Sequence, residues 1–396
     1  MDIPRRDIKP KKKHGKFNVL LFIVLVFIII STSVAAYLNL NEIDIKETSV
    51  KELFKNKFYL KESLKNKKIL LEMAYDGSTN AKFTICEGYI VKCTQDKIDF
   101  IDKKGEIKKT FYSSFKNPLI KTSGDYLLIA DIKGKDIFVS KGINELWKKE
   151  FDKNIINADI NEKGHVTVIH EEDRSRNAAS VFNDEGTRYF IDNSGDEFIL
   201  SANVSPKGEE VLLNYAITSG VNATTDLKKY NIKSKQETVK RFEEEFFALA
   251  KYVDDDLIMV SGDLGITILD NELKEKWNIP VNGSVYDFDL IKGRYISVAV
   301  RTGNTGFFSN GKSDVLVYGM DGEEITNFTI EDRVKSLRIS DDIIAINSAK
   351  MLYIANTDGK IINEYSFKTE IEHIEFFNKK EILVIVENKI VILNIS

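Results

Sequence analysis

A short pattern of apolar runs and turns recurs about eight times between Phe83 and Ser396. Three copies are easiest to see. Lys97–Asp102 leads into Lys103-Lys104-Gly105, Asp314–Met320 into Asp321-Gly322, and Met351–Asn356 into Thr357-Asp358-Gly359. Each is a strand-like run stopped by residues that favour tight turns. A period of about 40 residues built from four short strands is the signature of a β-propeller.

With the strands of each unit labelled a to d from the centre outward, the a strands are predicted to begin near Lys82, Leu119, Ile156, Leu200, Ala248, Tyr286, Lys335 and His373. The steps are 37, 37, 44, 48, 38, 49 and 38 residues. The b strands are the most apolar: Tyr126–Asp131, Leu257–Ser261, Ile343–Asn347 and Ile382–Glu387. Continuous apolar runs mark strands covered on both faces, as inner strands of packed blades must be. About 330 residues over eight blades gives about 41 each, and seven would need about 47, against about 40–45 for four-stranded blades. The expected fold is all-β, an eight-bladed propeller over residues 67–396, with seven blades as the alternative. The last unit ends with its c strand at Ile390–Ser396. Its d strand is expected from Ile69–Ala74, which would close the ring and remove two exposed sheet edges.

Phe17–Leu38 is 22 residues without a charge. At about 1.5 Å per residue it spans the ~30 Å core of a bilayer. The preceding tail, residues 1–16, holds seven Lys and Arg against Asp2 and Asp7. Basic residues stay on the cytoplasmic side. The expected topology is therefore a cytoplasmic tail (1–16), one transmembrane helix (17–38), a lysine-rich tether (39–66) and an extracytoplasmic body. The alternative is a signal peptide cut after Val34-Ala35-Ala36. Taking the tail's +5 from the net charge of −4 leaves −9 for the remainder. An acidic body argues against nucleic acid, which demands a basic stripe.

Two further segments are Ser140–Trp147, with Gly142 and Leu146-Trp147, and Leu269–Trp277, with Asp270 and Trp277. Both place a Trp just past the c–d turn, which suggests a blade-to-blade packing role. These segments resemble degenerate quinoprotein-type (PQQ-type) propeller repeats, and the anchor-plus-propeller layout resembles an uncharacterised bacterial family of membrane-anchored propellers. The resemblance covers about residues 67–396 and implies the fold. For function it implies little, because propellers host many unrelated activities. A quinone-dependent enzyme of this kind would need a calcium site, a catalytic Asp and often an adjacent cysteine pair. No Cys-Cys occurs here, and no metal ligands can be carried over.

The chemical inventory is thin. His165 and His170 are read on one b strand, where an offset of five places them on opposite faces. His373 falls on the last a strand as a packed or rim residue. Cys86 and Cys93 flank one hairpin, with Cys86 opposite Tyr89 and Cys93 opposite about Lys82, so buried free thiols are expected. Asp254-Asp255-Asp256 and Glu243-Glu244-Glu245 lack the alternating spacing of a calcium loop and read as solvated turns. No catalytic constellation, cofactor site or metal site emerges.

The repeat is least regular in its b–c connections. They are read as long in unit 3 (Glu171–Asn177), unit 4 (Ile217–Asp226) and unit 6 (Thr302–Ser313). All b–c loops of a propeller emerge on one face, and loops on a rigid scaffold are where binding resides. Arg174 and Arg176 offer fork-shaped donors, Asn222 an amide, and Phe307 and Phe308 aromatic area. The expected function is a binding or scaffold module for an envelope protein or cell-wall component. The alternative is a quinoprotein-like or hydrolytic enzyme.

Overall fold

A computed structural model describes residues 69–396 apart from 244, 263–264, 282–283 and 302–310. The expected transmembrane helix, the tether, Phe307 and Phe308 lie outside the described residues. The described residues form eight antiparallel four-stranded sheets. Seven take their strands in chain order, for example Lys82–Cys86, Tyr89–Cys93, Lys97–Ile101 and Ile107–Tyr112 in blade 1. The eighth joins Ile371–Asn378, Glu381–Val386 and Lys389–Asn394 to Ile69–Ala74. Ile69 pairs with Leu393 and Ala74 with Lys389, so the N-terminal strand closes the ring as expected.

The a strands of successive blades lie against one another and surround the axis. The b and c strands carry the core. Leu127, Leu128, Ile129 and Ala130 are all fully buried, because each blade is covered by a neighbour on either side. Leu127 and Ile129 pack toward blade 1, Leu128 and Ala130 toward blade 3. The a–b and c–d turns share one face of the ring, and the b–c and d–a connections share the other. The chain enters at Ile69 on the a–b/c–d face, since Ala74 at the other end of that strand pairs beside the b–c turn.

Both Trp residues pack between blades. Trp147, on strand d of blade 2 (Asn144–Glu150), lies 5.9 Å centroid to centroid from Phe182 of blade 3. Its ring also covers Gly186 in the c–d turn of blade 3. Trp277, on strand d of blade 5 (Glu275–Pro280), repeats this against Gly322 of blade 6 and donates its indole N–H to the Met320 carbonyl at 3.2 Å. Gly186 and Gly322 have φ of +80° and +89°, and a Cβ at either would fall within 3 Å of indole carbons. Glycine is needed there for both its backbone and its missing side chain. On the closing strand, Leu71 and Met73 cover Gly105 of blade 1 in the same way.

Cys86 and Cys93 are buried and unbridged, with Cys86 opposite Tyr89 and Cys93 opposite Lys82, as expected. Burial pushes both thiols up to about 12. Neither thiol should react with a water-soluble disulfide reagent at pH 8 until denaturant is added, when both should. Reaction of the native protein at the rate of a free thiol would contradict this packing.

Three expectations need correction. His165 is not on a strand: it sits in the a–b turn ahead of Val166–Glu172. The b–c connection of blade 3 is not a long loop. Strands b (Val166–Glu172) and c (Ser175–Phe182) continue pairing to Glu172–Ser175, so only Asp173 and Arg174 turn the chain. The extra residues lengthen a hairpin, because polar side chains with solvent on both sides can still ladder. In blade 4 the connection shrinks to six residues, 218–223, between Glu210–Ile217 and Thr224–Asn231.

Candidate interaction face and central channel

The eight a strands place a polar residue at one level of the channel. Pairing with the b strands gives the register: Thr84 opposite Val91, Lys121 opposite Leu128, Asp159 opposite Thr167 and Asn203 opposite Leu212. Lys251 faces Met259, Asp289 faces Ser297, Arg338 faces Ala345 and Glu375 faces Leu383. Around the ring the charges alternate in sign and cancel. Asn203 donates to Asp159 at 2.5 Å, and Thr84 donates to Glu375 at 3.2 Å.

These side chains solve a problem created by the fold. An innermost strand is a sheet edge with unpaired backbone groups. The Asp289 carboxylate accepts the Ile339 N–H at 2.9 Å, and Glu375 accepts the Ile85 N–H at 3.1 Å. Asp287 accepts the Leu337 N–H and pairs with Arg338, both at 3.0 Å. Burial raises the pKa of Asp159 and Asp289 above the usual carboxylate range and lowers that of Lys251. Opposite charges across the channel oppose each shift. A small cavity in this wall is lined by Lys121, Asp159, Ser201 and Asn203. At the a–b mouth, Lys292 of blade 6 and Glu162 of blade 3 approach to 3.6 Å.

The b–c/d–a mouth is built differently. In blades 3, 4, 5, 6 and 8 the a–b ladder skips one residue near the start of strand a, leaving Ile156, Leu200, Ala248, Tyr286 and Glu372 unpaired. Such β-bulges re-aim side chains at rims. Blades 1, 2 and 7 have no shift there. The bulged residue is apolar in blades 3 to 6, with Ile156 and Tyr286 42% and 45% exposed. Phe198 at the start of strand a in blade 4, and Phe246 just before strand a in blade 5, are each 37% exposed. Val221 stands fully exposed in the blade 4 connection. Single exposed apolar residues mean little; a contiguous set on one face marks an interaction site.

Of the residues expected to bind, Arg174, Arg176 and Asn222 fall on this face. Arg174 is exposed at the tip of the blade 3 hairpin, and Asn222 is exposed beside Val221. Arg176 lies over the Phe198 ring at 5.4 Å, and Arg301 over Tyr286 at 4.9 Å. The structure thus joins Arg176 to an aromatic residue that the sequence had not singled out. Neither the bulges nor the polar ring was read from the sequence. Aligning the eight a strands by distance from the following b strand would have shown the ring.

The histidines do not assemble. His165 lies 2.9 Å from the Tyr189 hydroxyl and under Gly208 of blade 4. His170 meets Ser180 at 2.9 Å, and His373 meets Glu375 at 3.0 Å. Among the described residues, no group of three or more His, Cys, Asp or Glu could hold a metal ion. His165 has its pKa lowered, chiefly by burial and secondarily by Lys163, against an opposing pull from Asp184. Its folded pKa is below its unfolded value of about 6.5, so its contribution to stability is present above that pH and lost as pH falls through the folded pKa. His165→Phe should therefore flatten the loss of urea midpoint on acidification from pH 7 to pH 5. An unchanged slope would contradict this.

Residues 59–395 match the model of a family of unknown function, DUF5711. The chain belongs to the DUF5711 family. No curated protein matches it. Among solved structures, yeast (Saccharomyces cerevisiae) Sqt1 superposes with a TM-score of 0.61 at 9% identity, covering 83% of this chain and 99% of that one. BamB from Moraxella catarrhalis gives 0.53 at 10% identity with the same coverage. The WD40 domain of SCAP from fission yeast gives 0.51 at 11% identity, covering 79% and 94%. At these identities the likeness is one of propeller fold. The expected quinoprotein-type repeat family is not among these findings, which support the coarser reading of a propeller.

Proposed function

We propose that this DUF5711 chain is a membrane-anchored extracytoplasmic propeller that docks an envelope protein or a cell-wall component on its b–c/d–a face. The observation that carries this reading is the exposed apolar set on blades 3 to 6, on the face away from the entry point at Ile69. The anchor rests on the uncharged run 17–38 and the basic tail before it. No helix among the described residues is long and apolar enough to cross a membrane. The interaction role rests on a rigid scaffold that presents variable loops on one side.

The test places a photo-crosslinking amino acid at Val221 in living cells, with Leu146 on the outer strand of blade 2 as control. One discrete adduct containing an envelope protein or wall fragment is expected from Val221, in a fraction that resists alkaline extraction of membranes. No adduct, or equal adducts from both positions, would sink the docking reading. Release of intact chain by alkali would sink the anchor.

A further inference from the structure

From the exposed rim of blades 3 to 6, and resting on the docking role just proposed, we infer that the face takes a polypeptide segment carrying large apolar side chains flanked by Lys or Arg. The apolar requirement comes from the bulges. Four consecutive blades place Ile156, Leu200, Ala248 and Tyr286 at one register position, and Phe198 and Phe246 extend the same rim. The pattern is one-sided. Blade 8 has the same bulge but fills it with Glu372, which accepts a hydrogen bond from Tyr75 at 3.1 Å. An apolar crescent therefore covers half the mouth, which suits an elongated partner laid along it better than a symmetric plug.

The basic flank comes from charge. The d–a connections beside the crescent carry Asp196, Glu197, Glu243 and Glu245, none of which makes an ion pair among the described residues. Two neighbouring cations are held in ion pairs. Lys153 pairs with Asp173, and Arg241 holds Asp226 through two parallel hydrogen bonds at 3.1 Å. Arg176 and Arg301 lie over aromatic rings of the crescent itself. With Glu171 and Glu172 of the blade 3 hairpin, six carboxylates without an ion pair outnumber Arg174, Arg176 and Arg301, so the net charge of the described rim is negative, and complementary potentials steer partners and suppress wrong ones. The same charge disfavours phosphate-bearing ligands such as lipid headgroups or nucleic acid. A peptide with aromatic or aliphatic anchors and cationic ends satisfies both features.

The probe is a library of random 16-residue peptides displayed against the full-length chain in lipid nanodiscs. Enriched peptides should carry at least two large apolar residues and a net positive charge. Their affinity should fall at least tenfold in Phe198→Asp and Tyr286→Asp. It should fall severalfold at low salt in the double variant Glu243→Lys/Glu245→Lys, and stay unchanged in Ile361→Asp on the outer strand of blade 7. All these positions are exposed, and matching urea midpoints would show that the variants fold. Enrichment of acidic or uncharged peptides that still lose binding in Phe198→Asp would overturn the charge inference and leave the docking face standing. No enrichment, or enrichment indifferent to Phe198→Asp and Tyr286→Asp, would overturn both.

Discussion

Residues 75–396 should lose most of the stability that residues 67–396 possess. The difference is strand Ile69–Ala74, the outer strand of blade 8. Without it the ring ends in two open edges, and Lys389–Asn394 exposes a row of unpaired backbone groups. Leu71 and Met73 pack on the core between blades 8 and 1, and Ile69 packs on the core between blades 7 and 8. At about 0.5–1.5 kcal/mol per ladder hydrogen bond and roughly 1–2 kcal/mol per half-buried apolar side chain, the loss is on the order of 5 kcal/mol. That is a large share of the ~5–15 kcal/mol a domain has in total. A drop of about 1–2 M in urea midpoint, or aggregation through the open edge, is expected. Equal midpoints for the two chains would mean that the ring does not close through this strand.

Trp147→Ala should be the most damaging single substitution at a blade interface, costing about 3–5 kcal/mol. The ring is almost wholly buried against Phe182 and the turn at Gly186, and both contacts belong to the next blade. Removing it leaves a cavity that two rigid sheets cannot collapse to fill. Trp277→Ala should cost less, about 2 kcal/mol, because Trp277 is only half buried. Gly186→Ala approaches the same contact from the other side. It adds strain at positive φ and a carbon within 3 Å of the indole, for a cost of about 1–3 kcal/mol. Urea midpoints order these variants directly. If Trp147→Ala proved milder than Trp277→Ala, the indole of blade 2 would not be the interface anchor described.

The architecture was legible because its signals are local. Turn residues such as Asp321-Gly322 and apolar runs such as Tyr126–Asp131 declare themselves without knowledge of the partner strand, and all eight a strands begin within two residues of their expected starts. The closing strand could be inferred because seven complete units left one run unassigned. The site was less legible. An extra residue such as Ile156 or Tyr286 changes which side chains face the channel, and only the pairing with strand b reveals it. The polar stretch Glu171–Asn177 reads as a loop because strand patterning looks for apolar residues on a buried face, and the buried residue here, Asn177, is polar. Arg174, Arg176 and Asn222 do lie on one face. The aromatic residues beside them, Phe198 and Phe246, went unnoticed because their exposure depends on where the innermost strand begins.

The central claim is that the departures from the repeat, gathered on one side of a closed ring, are the interaction site. It is tested most directly by placing one photo-crosslinking residue per blade at the start of each a strand, at positions 82, 119, 156, 200, 248, 286, 336 and 372, and mapping adduct yield in living cells. Yield should be concentrated at 156, 200, 248 and 286, in a single partner, with little at 82, 119 and 336. Uniform yield around the ring, or a maximum at blades 1, 2 and 7, would contradict the account.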